Sequence, residues 1–155
     1  MFFAKKKDAA GSTVKPNERY RFLRELGEGG IARVRSVLDL ALNREIAVKE
    51  LKETSAADPN LLKTFINEAK LVSYLDHPGV VSIYDSFMTG SGKHCYSMTL
   101  VEGETLASVI DRAAAGKEAE LPVARCLEIF VKICETLAYA HDRGVVHLDL
   151  KPENI

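Results

Sequence analysis

The chain has 155 residues, 46% of them hydrophobic and 28% charged, and a formal net charge of -1. That balance suits one globular domain and excludes a strong overall field toward nucleic acid or an anionic membrane. Three cysteines (Cys95, Cys126, Cys134) make an odd number without paired spacing, which favours reduced thiols in a cytoplasmic compartment over a disulfide framework.

Residues 1–18 are polar and mixed, and are expected to form a flexible tail. Phe2, Phe3 and Ala4 precede Lys5, Lys6 and Lys7, the wrong order for a secretory signal, and no apolar run reaches membrane-spanning length. Order begins near Tyr20. Tyr20, Phe22 and Leu26 share a parity that predicts a half-exposed strand. Gly27 to Val34, GEGGIARV, then brings closely spaced glycines that let backbone amides approach a phosphate.

Two nucleotide folds compete for those glycines. A dinucleotide-binding fold needs a helix after them and an acid about twenty residues on, for which Glu50 is not badly placed. Arg21, Arg24 and Glu25 interrupt the preceding segment, which is unlike a buried parallel strand. The alternative is a hairpin between antiparallel strands. Val34, Val37 and the turn-like DLALN agree with it, although that stretch also has helix propensity.

Glu45 to Leu51 is a short apolar strand carrying Lys49. Asp58 as N-cap and Pro59 as first residue open a helix running to about Leu75. Leu61, Phe65, Ala69, Val72 and Leu75 define its buried face, and Glu68 lies on that face. An inward carboxylate needs a partner, so a Lys49–Glu68 ion pair is one reading. A glutamate at the margin of the stripe, reaching solvent, is the other.

Val80 to Tyr84 and Cys95 to Leu100 predict a hairpin around a GSGK turn. Glu102, Gly103 and Glu104 mark a hinge, and a short helix follows from Leu106 to Ala114. The strongest helical pattern runs from about Pro122 to Asp142, with Leu127, Phe130, Val131, Cys134, Leu137, Ala138 and His141 on one face and Gly144 at its end. Cys126 and Cys134 are expected there as small buried residues, and His141 as a packed or capping histidine. No histidine has zinc-type spacing with the cysteines.

The last stretch, HLDLKPENI, places three polar groups within six residues. Asp149 can accept a proton, Lys151 supplies a positive charge, and Asn154 offers an amide oxygen to a hard cation such as magnesium. Pro152 stiffens the segment. A catalytic loop and a polar surface turn both fit these residues.

Together the motifs resemble the eukaryotic-like protein kinases over roughly residues 20–155. Gly27, Gly29, Ala32 and Val34 match the glycine-rich loop, Lys49 the lysine of the third strand, Glu68 the glutamate of helix C, and Asp149 and Asn154 the catalytic-loop base and metal ligand. The resemblance implies an α+β kinase fold. An antiparallel β-rich N-lobe with helix C would cover about 19–101, a hinge about 99–104, and the first helices of an incomplete C-lobe 105–155.

It further implies that ATP phosphates lie under Gly27, Glu28, Gly29, Gly30, Ile31 and Ala32, held by Lys49, with Val34 and Ala47 over the adenine. Thr99, Leu100 and Val101 would meet the adenine edge, with Met98 controlling the space behind it. Asp149 would orient or deprotonate a serine or threonine hydroxyl of a protein substrate, Lys151 would steady the phosphoryl group, and Asn154 would bind Mg2+. The Asp-x-Lys-Pro-Glu-Asn form resembles serine/threonine kinases, and the whole resembles their bacterial branch.

Three departures stand out. Ala32 replaces a glycine, and Leu148 stands where the family usually has arginine, which argues against activation through a phosphorylated loop. The chain also stops before the Asp-Phe-Gly magnesium site, so by itself it is expected not to phosphorylate proteins, and to leave an apolar face of its long helix exposed. An inactive nucleotide-binding or interaction module is the alternative to an enzyme. A dinucleotide-dependent oxidoreductase rests on Gly27 to Ala32 alone.

Overall fold

The computed structural model describes residues 19–116 and 122–155, so the expected tail lies outside the described residues. Five strands form one sheet: β1 (Tyr20–Glu28), β2 (Ala32–Asp39), β3 (Arg44–Leu51), β4 (Ile83–Met88) and β5 (His94–Met98), in the order β1-β2-β3-β5-β4. All neighbours are antiparallel. The helices are α1 (Glu53–Ala56), α2 (Pro59–Ser73), α3 (Leu106–Ala114) and α4 (Val123–Asp142), with a 3-10 turn at Pro152–Asn154.

The glycines lie in a hairpin. β1 continues through Gly27 and Glu28, the Gly29 amide donates to the Ala32 carbonyl at 2.9 Å, and β2 follows directly. A strand where a helix was required removes the dinucleotide-binding reading. DLALN is the next turn, closed by Asn43 at φ 49°, a left-handed position that asparagine tolerates.

Alternation sorts the central strands into two cores. Ala32, Leu51 and Tyr96 face α2 and pack with its Phe65 and Ala69, while Val37, Ile46, Val48 and Cys95 form a cluster on the other face. β1 and β4 are opposite edges, yet the Tyr20 and Phe87 rings stack at 4.9 Å and Arg19 reaches Asp85 at 3.8 Å. The sheet is therefore strongly curled. β1 departs from the half-exposed expectation: Phe22 and Leu26 are both exposed, because this edge strand has no helix over it.

The helix expectations hold at the ends. Asp58 accepts from the Asn60 amide at 2.8 Å ahead of Pro59, and Phe65, Ala69 and Leu75 are buried. Leu62, rather than Leu61, joins the α2-facing core. The strand expected at Val80 starts three residues later, at Ile83, because the Val80 amide closes a turn on the His77 carbonyl. β5 ends at Met98 because the Thr99 amide turns to the Ser82 carbonyl at 3.0 Å.

α4 ends as read. Gly144 at φ +72° donates to the His141 carbonyl and Val145 to the Ala140 carbonyl, a Schellman cap. Its periodic face is another matter. Leu127, Phe130 and Val131 are each more than half exposed, as the resemblance implied for an uncovered face. Cys126 and Cys134 are exposed as well, contrary to the buried places expected for them, and His141 is exposed in the last turn, which removes the packed reading and leaves the capping one. α4 makes its contact near its C-terminal end, where Tyr139 packs against His77 with the rings tilted and takes the Asp76 amide on its hydroxyl.

Candidate active site

The site is built on register. Ala47 and Lys49 point to the same face of β3, and across β5 they oppose Met98 and Tyr96. On the other side Lys49 opposes Val34 of β2, which opposes Gly27 of β1. The glycine hairpin, Val34, Ala47, Lys49 and Met98 are thus brought together by sheet pairing alone.

Lys49 does not point outward from an edge. Its Nζ lies 2.6 Å from Glu68 Oε1 on α2, with less than a quarter of the lysine side chain exposed. The Tyr96 hydroxyl donates to the same oxygen at 2.8 Å, and its ring packs on Phe65 at 5.1 Å. Burial, reinforced by the Glu68 charge, pushes the Tyr96 phenol far up, so it stays a donor. Tyr96 is a site residue that sequence patterning did not single out.

Above this pair the loop tip is tethered. Glu28 Oε1 lies 2.6 Å from Lys52 Nζ, which holds the exposed Glu28 carboxyl below its ordinary range, and the Lys52 amide donates to the Ile31 carbonyl at 2.9 Å. A Cβ added at Gly27 or Gly30 would meet no protein atom within 4 Å. Packing of the chain itself does not demand these glycines, and the open ground fits a phosphate group approaching the amides.

Beyond Met98 the chain leaves the sheet. The Tyr84 hydroxyl bonds the Thr99 hydroxyl at 3.0 Å, Val101 is exposed, and Gly103 takes φ +121°. Thr105 then caps α3 by accepting the Ser108 amide, and Arg112 of α3 pairs with Glu104. The segment 99–104 is a connection with backbone groups outside the ladder, as a hinge requires.

The second group follows α4. Lys151 Nζ lies 2.9 Å from Asp149 Oδ2, while Asn154 Nδ2 donates to the Asp149 carbonyl at 2.8 Å and to Oδ2 at 3.2 Å. The Leu106 amide donates to the Ile155 carbonyl at 2.8 Å and fastens this loop to α3. Lys151, then Asn154, hold the Asp149 carboxyl below its usual range, and Asp149 raises Lys151. Asn154 spends its amide hydrogens on Asp149, so its Oδ1 remains to face a cation. Among the described residues no group of three or more His, Cys, Asp or Glu forms a metal site. A magnesium ion held by few protein oxygens plus phosphate and water is compatible with that.

A glycine hairpin over a part-buried lysine–glutamate pair is thus joined through the segment 99–104 to an Asp-Lys-Asn loop. The protein kinase domain profile matches residues 20–155, and the chain belongs to that family. The serine/threonine-protein kinase PknD of Chlamydia muridarum is 39% identical over 144 residues, which is 89% of this chain and 15% of that protein. PknD of Protochlamydia amoebophila is 31% identical over 98% of this chain and 16% of its own length. The chain therefore spans a small part of these relatives. The crystal structure of the Mycobacterium tuberculosis PknI kinase domain superposes with a TM-score of 0.69 at 27% identity, covering 93% of this chain and 56% of that one. Among the described residues no helix is long and apolar enough to cross a membrane.

Proposed function

We propose that this chain provides the nucleotide-binding lobe and catalytic loop of a serine/threonine protein kinase that uses ATP and Mg2+ and acts on protein hydroxyls in the cytoplasm. The observation that carries the reading is the Lys49–Glu68 pair at 2.6 Å beneath the glycine hairpin. A lysine so placed is directed by its carboxylate toward the ground under Gly27 to Ala32, where it meets the α and β phosphates. Bound ATP, with its magnesium, supplies the transferable phosphoryl group and the charge that these residues balance.

The chain's own residues do the rest. Amides of Gly27 to Ala32 cover the phosphates, while Val34 and Ala47 above and the backbone of Thr99, Leu100 and Val101 at the edge hold the adenine, with Met98 behind. Asp149, kept ionised by Lys151 and Asn154, orients the substrate hydroxyl and accepts its proton. Lys151 balances charge on the moving phosphoryl group, and Asn154 Oδ1 holds the magnesium.

The test is transfer of label from γ-labelled ATP to protein serine or threonine by the native full-length protein. Lys49→Met and Asp149→Asn are each expected to lower the rate by at least about a hundredfold while leaving the circular dichroism and melting curve in place. Undiminished transfer in either variant removes the role given to that residue.

A further inference from the structure

Three side chains from three elements meet on one oxygen. Glu68 Oε1 of α2 takes the ammonium of Lys49 from β3 at 2.6 Å and the hydroxyl of Tyr96 from β5 at 2.8 Å. Lys49 and Tyr96 stand directly opposite one another in the β3–β5 ladder, so the register that presents one presents the other. Tyr96 is only 3% exposed. The lysine also lies 5.7 Å from the Tyr96 ring centroid, within cation–π range.

We propose that Tyr96 is a positioning residue for this site, a second tether that keeps Glu68, and with it α2, docked on the sheet independently of Lys49. This rests on the kinase reading of the pair. A lysine that also meets phosphates shares its charge between them and its carboxylate, so a helix held by that contact alone would be held less firmly. Here the second donor remains on Glu68.

The energetics favour the docked position. If α2 swings away, the buried phenol loses its acceptor, and an unpaired buried hydroxyl is costly. A phenylalanine at this position would pack on Phe65 equally well and impose no such cost. The hydroxyl, rather than the ring, is therefore what biases α2. Because burial keeps the phenol protonated, the tether needs no change of charge to operate.

The experiment compares wild type, Tyr96→Phe, Glu68→Ala and the double variant in the native full-length protein. Amide hydrogen exchange in α2 and label transfer from ATP are both measured. Tyr96→Phe is expected to speed exchange at Phe65 to Ala69 about tenfold, the effect of losing a hydrogen bond to a charged group. It should lower kcat with KM for the protein substrate unchanged, and in the Glu68→Ala background it should add nothing. Exchange within twofold of wild type, or an equal loss in both backgrounds, overturns the proposal. A wild-type protein without transfer overturns the kinase reading instead, whereas exchange needs no turnover and still decides Tyr96.

Discussion

Arg19 grips Asp39 with both arms: Nε donates to Oδ1 at 3.0 Å and Nη2 to Oδ2 at 2.8 Å, and the Asp39 side chain is fully buried. The Ala41 amide adds a third donor at 3.0 Å. The pair ties the start of β1 to the end of β2 and so fixes the root of the glycine hairpin. Arg19→Met would leave a buried carboxylate without its cation, at a cost of about 3 kcal/mol. Chemical denaturation with the midpoint followed by circular dichroism measures it.

The same pair sets a pH dependence. Arg19, by its hydrogen bonds, holds the Asp39 carboxyl below the ordinary value of 3.8. Between that value and the lower native one the unfolded chain binds the extra proton, so stability rises with pH in this window. The contribution is complete above the unfolded value and is lost as pH falls through the native one. Asp39→Asn should accordingly flatten the acid limb of stability against pH below about 4. An unchanged limb would mean that other carboxylates dominate acid unfolding.

The glycine loop separates stability from ligand binding. A Cβ at Gly29 would sit 3.6 Å from the Ala32 carbonyl oxygen, an ordinary contact, so Gly29→Val should shift the melting temperature little. A branched side chain there obstructs close approach of phosphate to the amide. KM for ATP is expected to rise about tenfold, corresponding to about 1.4 kcal/mol, as read by initial rates over a range of ATP concentrations. A large loss of melting temperature with KM preserved would place the requirement for glycine in the fold.

What could be read in the sequence was local chemistry and what could not was pairing. Asp58 with Pro59 and the terminal Gly144 announce helix ends because caps are set by neighbouring residues, and both stand where they were read. The position of Glu68 on the apolar face of α2 left two readings open, a Lys49 pair or a glutamate reaching solvent, and the structure has the pair with the Glu68 side chain still partly exposed. DLALN was ambiguous because only the β2–β3 ladder decides between turn and helix. Tyr96 was invisible for the same reason: its bond to Glu68 spans 28 residues and depends on the β3–β5 register. The exposure of Cys126, Cys134 and Phe130 shows the other limit. Periodicity finds an apolar face, but not what covers it.

Gly79 marks where α4 meets the turn after α2. A Cβ there would collide with Thr136 Oγ1 and come within 3.1 Å of Thr136 Cβ. Rotating the threonine relieves only the first contact, and its hydroxyl is already committed to the Lys132 carbonyl at 2.7 Å. Gly79→Ala should push α4, and Tyr139 with it, away from Asp76 and His77, costing about 1–3 kcal/mol. Denaturant unfolding reads the loss, and the double variant Gly79→Ala with Thr136→Ala should recover part of it. Absence of recovery would show that the contact is not what limits the position.

Cys95 provides a chemical readout of the sheet core. It is 2% exposed between Val48 and Phe87, and burial, then the charge of Glu50, pushes its thiol up to about 12 from the ordinary 9.0. The thiolate is the reactive form, so at pH 8 the raised value alone lowers its fraction about a thousandfold. Exclusion of reagent slows the reaction further. Cys95 in the native protein should therefore resist iodoacetamide over times in which the guanidinium-unfolded chain is fully alkylated, with the site read by peptide mass spectrometry. Modification of native Cys95 at the unfolded rate would mean that the side chains of β3 and β4 do not enclose it, and the register that sets Lys49 opposite Tyr96 would fall with that packing.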